Sequence, residues 1–224
     1  MVGAVLGGRF AADAEWPLCL ESFESSDWLE EDLRRIARVV DPEEPAVVEF
    51  VRETVSEENV GAYNIGQVCD LFDRLIGDWS YVPDPRIGDA FVPPWVSLLT
   101  LSGDCDDFAV VLASCILALG GCSEIIFVDE GLFGHVYALL YVGEGAVHIA
   151  RLRGYLRGRY STAVSAARFC RDAAGGLWLP LDWVDAHPGG RRWSDTATVT
   201  ACALTDLCGG ADRAVPAVPN FSEE

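Results

Sequence analysis

A cysteine flanked by acidic residues is the first candidate for chemistry in this sequence. Cys105 stands in the motif Gly-Asp-Cys-Asp-Asp, residues 103–107, and an almost wholly apolar run over residues 108–119 follows it. That run is too short to cross a bilayer, which needs about 20 residues, so we expect a helix buried inside a folded domain. Asp104 is suited to cap this helix, and the free N–H groups and dipole at a helix N-terminus favour a thiolate. The spacing predicts a thiol nucleophile at the tip of a buried helix.

The same cysteine also has a purely structural interpretation. The chain has eight cysteines, and most buried cysteines behave as small hydrophobic residues. We expect Cys115 and Cys122 to be of that kind. The carboxylates beside Cys105 disfavour a thiolate. Position 105 alone therefore leaves both interpretations open.

A thiol nucleophile needs a base within hydrogen-bond reach, and the chain has three histidines. His135 follows Gly134 and opens the apolar stretch His-Val-Tyr-Ala-Leu-Leu-Tyr-Val, so we expect it at the end of a strand. His148 is expected to be an ordinary strand residue and His187 to lie in a surface turn. His135 is therefore the candidate base.

The base in turn needs an orienting group. Asp182 falls inside the apolar segment Trp-Leu-Pro-Leu-Asp-Trp, where an unpaired charge would be costly. A hydrogen bond to an imidazole would explain its presence there. Asp185 and, more distantly, Asp129 are the alternatives.

These three motifs, in this order, resemble the transglutaminase-like superfamily of papain-type fold, in its microbial or archaeal form. The resemblance covers about residues 60–185. It implies that Cys105 is the nucleophile, His135 the base and later the acid, and Asp182 the residue that orients His135. The long separation between His135 and Asp182 departs from the compact members of the family.

A proline-rich segment with aromatic residues, residues 81–95, comes before the cysteine and resembles the stretch that commonly precedes it in that family. Tyr81 and Trp95 are candidates to line a substrate groove, and they would serve equally well as lids on the core. Trp95 is also a candidate second donor to an oxyanion, beside the backbone N–H of Cys105.

The elements around these motifs predict an α+β domain with helices first and antiparallel strands after. Helices are expected over residues 27–40, 46–55 and 64–79, with Asn64 as a cap, and strands over residues 124–129, 135–142, 146–152, 177–183 and 196–204. Residues 151–171 are Arg-rich and fit a loop or a short helix. Residues 1–60 are expected to form a helical region packed on the core, residues 61–208 the transglutaminase-like catalytic domain, and residues 209–224 a flexible tail.

Composition narrows the possible partners. The formal charge of −19 makes nucleic acid an unsuitable partner. Arg is present and Lys is absent, which fits a salty or hot cytoplasm and is explained equally well by the base composition of a high-GC genome. The cysteines show no metal-ligand spacing, so no metal or cofactor is expected, and well-spaced cysteines without a secretory signal predict unpaired thiols in the cytoplasm.

The chemistry implied by the resemblance is acyl transfer from a peptide or protein amide through a thioester on Cys105. A cysteine peptidase or amidase is one form of it, and a transferase that cross-links glutamine to amines is a second. A scaffold or binding module that keeps the fold without catalysis is the third alternative. An intact set of Cys105, His135 and Asp182 counts against the scaffold. The sequence leaves the oligomeric state open.

Overall fold

The fold consists of six α-helices and a curled antiparallel sheet within the part of the chain that the structure describes. This structure is a computed structural model, and it describes residues 6–9, 27–84, 91–129, 134–160, 167–172, 174–185, 187–190, 198–204 and 213–219. The predicted α+β class is therefore confirmed.

The helices lie mostly in the first half of the chain. Their bounds are α1 Asp27–Val39, α2 Pro45–Thr54, α3 Ile65–Asp78, α4 Pro94–Thr100, α5 Cys105–Ala118 and α6 Ala146–Tyr160, with a 3₁₀ turn at Glu57–Asn59. The three helices predicted before residue 80 are confirmed. The Asn64 side chain accepts a hydrogen bond from the backbone of Gln67 at 3.3 Å, which confirms the predicted cap of α3.

The main sheet has six strands among the described residues. They are β1 Leu6–Arg9, β4 Ser123–Asp129, β5 Gly134–Gly143, β6 Cys170–Arg171, β7 Leu177–Leu181 and β8 Thr198–Ala203. Their order is β1-β8-β4-β5-β7-β6, and every pairing is antiparallel. Two short strands, β2 Ser80–Tyr81 and β3 Ser102–Gly103, form a separate parallel pair.

Helix α5 lies at the centre of the hydrophobic core. Phe108, Leu112 and Cys115 pack in one cluster with α2, α3 and α6, whereas Ala109 and Ala113 pack in a second cluster with α1 and β4. The helix is therefore covered on all sides, as its apolar sequence predicts. Because α1 and α2 contribute to the same clusters, the N-terminal helices pack on the core.

The strand predicted over residues 146–152 is wrong, because these residues begin helix α6. Its buried residues are Ile149, Leu152, Tyr155 and Leu156, which recur with the period of a helix. Strand β5 pairs instead with β7, which comes later in the chain. The intervening chain explains the long sequence separation between His135 and Asp182.

Further elements lie where none was predicted. Strand β1 and helix α4 are both absent from the sequence-based assignment, and α4 begins at Pro94, which suits a first helical position. Residues 213–219 belong to the segment that is expected to form a flexible tail. Ala217 forms backbone hydrogen bonds with Tyr63 and Ile65, at 3.1 and 2.9 Å.

Two findings concern the expected location of the protein. No helix of the described chain has the length and apolar character that crossing a membrane requires. Cys122 is disulfide-bonded, so the expectation of unpaired cysteines is wrong at this position. Cys69, Cys105 and Cys115 are free thiols.

Candidate active site

Cys105 is the first residue of α5, and a compact turn places it there. The backbone N–H of Asp104 donates to Oδ2 of Asp107 at 3.2 Å, which ties the cap to the first turn of the helix. The Asp107 carboxylate lies so close to Gly103 that a Cβ atom at this position would clash with it. Gly103 also has a φ of +155°, so the glycine of the motif is required by both space and backbone conformation.

The opposite side of this turn is held by an aromatic residue. The indole N–H of Trp79 donates to the carbonyl of Gly103 at 3.1 Å. The Trp79 ring packs edge-on against Phe108, with ring centroids 5.3 Å apart. Residue 105 is therefore positioned from helix α3 as well as by its own helix.

His135 and Asp182 form a buried pair between strands β5 and β7. His135 Nε2 lies 2.9 Å from each carboxylate oxygen of Asp182. Oδ1 of Asp182 also accepts the backbone N–H of Val184 at 3.1 Å. His135 is 9% exposed and Asp182 only 2%, so the pair is shielded from water, which strengthens its electrostatic interaction.

The sulfur of Cys105 lies against the beginning of β5. The backbone N–H of Val136, the residue after His135, lies close enough to this sulfur to lower the pKa of the thiol. Because Asp182 binds Nε2, any proton exchange between the His135 ring and Cys105 goes through Nδ1. The thiol thus lies near the end of β5 that carries His135.

The surroundings of Cys105 oppose its ionisation. Burial, followed by the charges of Asp104 and Asp106, raises the pKa of the thiol to about 12, against a smaller lowering by N–H groups of Val136 and of Cys105 itself. The expected stabilisation of a thiolate by the helix N-terminus is therefore outweighed. The free cysteine at this position is a protonated thiol at neutral pH.

The neighbouring carboxyl groups are perturbed in the same direction. Burial and a hydrogen bond with Asp104 raise the pKa of Asp106. Burial also raises the pKa of Asp107, to about 6. We call Asp104, Asp106 and Asp107 the acidic cluster.

Aromatic residues from two different segments meet beside the thiol. The rings of Tyr81 and Trp183 are stacked, with centroids 4.7 Å apart and an interplanar angle of 18°. Burial raises the pKa of Tyr81, and the negative charges that Cys105, Asp104 and Asp106 carry when ionised raise it further, so the Tyr81 hydroxyl lies near the cluster. Trp183 is not among the residues predicted from the sequence, where its only signal is the position directly after Asp182.

The remaining candidates lie outside the His135–Asp182 pair. Trp95 is in α4, 43% exposed, and its indole N–H takes part in none of the hydrogen bonds among the described residues. His148 lies in α6 rather than in a strand, and His187 Nδ1 lies 3.1 Å from the carbonyl of Pro188. The backbone N–H of Asp185 donates to the backbone carbonyl of Asp182 at 3.1 Å, whereas the His135 ring is bound by the Asp182 carboxylate. The side chain of Asp129, the most distant alternative, lies outside the described residues.

The ligand atoms beside the thiol are of the kind that could bind a cation. One oxygen each of Asp104 and Asp106 and the sulfur of Cys105 lie within 4.8 Å of one another. Consecutive acidic residues at a helix N-terminus produce such spacing without any ligand. The expectation that the protein uses no metal and no cofactor stays a prediction.

Comparisons of the chain with protein-family models, with curated proteins and with solved structures found no match.

Proposed function

We propose that this protein is a transglutaminase-like cysteine hydrolase or acyltransferase, which cleaves or exchanges a peptide or isopeptide amide bond. The observation that supports it most strongly is the buried pair of His135 and Asp182, with Nε2 at 2.9 Å from both carboxylate oxygens. The next residue of the strand, Val136, lies close to the thiol of Cys105 at the N-terminus of α5. A base held by a carboxylate next to a thiol is the arrangement that nucleophilic catalysis needs.

In the proposed acylation step, Nδ1 of His135 takes the proton of Cys105 as the sulfur attacks the amide carbon. A C–S bond forms, and the carbonyl oxygen becomes an oxyanion. The backbone N–H of Cys105 has no acceptor within the helix and would donate to this oxyanion, with Trp95 proposed as the second donor. His135 then protonates the leaving nitrogen as the C–N bond breaks, which leaves a thioester on Cys105.

In the proposed second step, His135 removes a proton from the acceptor, which attacks the thioester carbon and restores the thiol. Water as the acceptor gives a hydrolase, and a primary amine gives a cross-linking transferase. Tyr81 and Trp95 are proposed to line the groove that holds the substrate.

A non-catalytic binding module is the second candidate. The observation that favours it is the pKa of Cys105, which is raised to about 12, whereas catalytic cysteines usually have a lowered pKa. A binding module would hold its ligand at the same proposed groove without forming a thioester.

The deciding experiment is amide turnover by the full chain. Peptide and isopeptide substrates that release a fluorescent amine are incubated with the wild-type protein, and a covalent acyl group is sought on Cys105 by peptide mass mapping. We expect turnover that Cys105→Ala abolishes and that Cys69→Ala, the same change at another free cysteine, retains. Free acid among the products identifies a hydrolase, and an adduct with added amine identifies a transferase. No acyl group on Cys105 with any substrate would favour the binding module.

The proposed location is the cytoplasm, with no nucleic acid and no membrane among the partners. The disulfide at Cys122 is compatible with a hot cytoplasm, since intracellular proteins of hyperthermophiles keep disulfides. Thiol counting on the denatured protein, isolated without reductant, tests whether this bond exists in the cell.

A further inference from the structure

Two aromatic side chains from distant parts of the chain meet near the candidate active site. The rings of Tyr81 and Trp183 lie nearly parallel, with centroids 4.7 Å apart and an interplanar angle of 18°. Tyr81 belongs to β2, and Trp183 lies in the turn that follows β7. Because β2 belongs to the small parallel pair of strands and β7 to the main sheet, the stack links the two sheets. Such a stacked pair contributes about 0.5–1.5 kcal/mol beyond the area that it buries.

Tyr81 is tied by its backbone to the turn that carries Cys105. It pairs with Gly103 in the parallel ladder of β2 and β3. The backbone N–H of Val82 donates to the carbonyl of Gly103 at 2.9 Å. Asp104, the cap of α5, and Cys105 come directly after Gly103. A displacement of β2 would therefore move the start of the helix and its thiol.

Trp183 is tied in a similar way to the residue that orients His135. It comes directly after Asp182, whose two carboxylate oxygens lie 2.9 Å from Nε2 of His135. The backbone N–H of Asp185 donates to the backbone carbonyl of Asp182 at 3.1 Å, which closes a turn around Trp183. The backbone N–H of Val184 donates to the Asp182 carboxylate, also at 3.1 Å. One turn thus holds both the indole ring and the carboxylate.

The two stacked rings differ in their burial. Trp183 is partly buried and packs on the hydrophobic core, whereas Tyr81 is 46% exposed. Because nearly half of Tyr81 faces solvent, its ring adds little buried area to the core, and its removal should cost little stability. The contact with Trp183 therefore matters more for the relative position of the two turns than for the stability of the fold.

We propose, on the basis of the proposed function, that Tyr81 and Trp183 are positioning residues whose stack sets the distance between the Cys105 sulfur and the His135 ring. One ring is fixed to the turn before α5, and the other to the turn that begins at Asp182. Holding the rings together keeps Nδ1 of His135 within reach of the thiol proton, and neither ring takes part in the proton transfer itself. Such a transfer needs hydrogen-bond contact, and a displacement of about 1 Å can lower a rate about 100-fold.

The positioning role is tested first by a reaction of Cys105 that needs no substrate. When the sulfur attacks iodoacetamide, a C–S bond forms, iodide leaves, and a His135 ring that is in place takes the thiol proton on Nδ1. The rate constant at pH 7.5 is measured in the wild type, His135→Ala, Tyr81→Ala and the double variant, and peptide mapping assigns it to Cys105. We expect each single variant to react at least about fivefold more slowly, and the double variant to be no slower than His135→Ala. This non-additivity is the signature of a residue that acts through His135.

Two control variants separate the stack from the rest of strand β2. Tyr81→Phe keeps the stacking ring and removes only the hydroxyl, and Val82→Ala shortens the exposed neighbour of Tyr81. Both should stay within about twofold of the wild type, because the ring–ring contact is intact in each. Tyr81 is the ring to change, because Trp183 also packs on the core. Urea unfolding checks that every variant is folded.

Turnover then separates positioning from contact with the substrate. p-Nitrophenyl acetate loses p-nitrophenolate as a C–S bond to Cys105 forms, and its acetyl group is too small to extend along a groove. We expect Tyr81→Ala to lower the rate constant of acetylation at least about tenfold, and to lower kcat with a peptide anilide more than it raises KM. A higher KM for the anilide with unchanged acetylation would show that Tyr81 only contacts the substrate, and would overturn the proposal.

The outcomes also distinguish this proposal from the proposed function. Equal alkylation of Tyr81→Ala and the wild type, or additive effects of Tyr81→Ala and His135→Ala, would overturn the positioning role. Turnover that depends on Cys105 and His135 would in that case still support the enzyme. Alkylation that is independent of His135, with no turnover of any ester or amide, would refute the proposed function and the positioning role with it.

Discussion

At the scale of single residues, the two oxygens of Asp182 constrain the His135 ring more than one contact would. Both lie 2.9 Å from Nε2, and Oδ1 is held in turn by the backbone N–H of Val184. A carboxylate in this position fixes the tautomer of the ring, and it balances the positive charge of the imidazolium that forms in the proposed acylation step.

We predict that Asp182→Asn lowers turnover by about three orders of magnitude in a protein that still folds, because an amide can stabilise the wrong tautomer and balances no charge. The measurement is kcat per folded molecule, with folding followed by circular dichroism. Asp185→Asn, which changes the alternative carboxylate, should keep its rate. An Asn variant at 182 that loses stability but retains kcat would show that Asp182 only ties strands together.

A second prediction concerns the reactivity of the resting thiol. Because burial and the adjacent carboxylates raise the pKa of Cys105 to about 12, the thiolate fraction is small at neutral pH. We expect the rate of iodoacetamide addition at Cys105 to rise with pH up to at least pH 10 without a plateau. In Asp106→Asn the rate at pH 10 should increase, because the pKa of Asp106 is raised to about 9 and its carboxylate opposes ionisation of the thiol at that pH. A plateau below pH 8 in the wild type would mean that His135 stabilises the thiolate before substrate binds.

At the scale of elements, helix α5 has two tasks, since its first residue is the candidate nucleophile and its middle is core. Cys115 lies further along the same helix and is fully buried, with a pKa raised by burial. It has the same side chain as Cys105 and an environment without the histidine or the carboxylates. The two cysteines therefore separate chemistry from packing within one element.

We predict that Cys115→Ala costs about 1 kcal/mol of unfolding free energy through a small cavity and leaves turnover per folded molecule unchanged. Urea denaturation gives the first quantity, and the amide assay gives the second. Loss of turnover in a fully folded Cys115→Ala protein would mean that the wrong thiol has been assigned.

The elements also show what the sequence can and cannot predict. Helix α5 is evident from an uninterrupted apolar run between a cap and two glycines. The same apolar composition predicts that the helix is buried in the core. Helix α6 is not evident from the sequence, because Val147 and Ile149 flank His148 as alternating residues of a strand would. The helical period becomes clear only when Leu152 and Leu156 are known to be buried. The position of Trp183 beside Tyr81 could not be predicted either. The two rings are distant in the sequence, and they stack only in the folded chain.

At the scale of the whole molecule, an ion pair joins the C-terminal segment of the described chain to the sheet. Arg213 forms an ion pair with Asp172 at 3.0 Å and lies over the rings of Tyr141 and Trp178. Glu124 of β4 is buried nearby, where burial raises its pKa to about 7, with Arg213 lowering it and Asp172 raising it. The protein thus buries a carboxyl group that is most stable in its neutral form.

The pH dependence of stability follows from Glu124. Its folded-state pKa of about 7 exceeds the ordinary value of 4.5, so its contribution is complete below the ordinary value and is lost as pH rises through about 7. We therefore predict that raising the pH from 5.5 to 8.5 destabilises the wild type relative to Glu124→Gln by about 2 kcal/mol, because glutamine has no proton to lose. Urea unfolding of both proteins at the two pH values measures this difference, and comparison with the variant cancels the similar effect of Asp107. A difference of zero would mean that Arg213 fully compensates the charge of an ionised Glu124. Arg213 would then interact with both Asp172 and Glu124, and so would connect the C-terminal segment to the centre of the sheet.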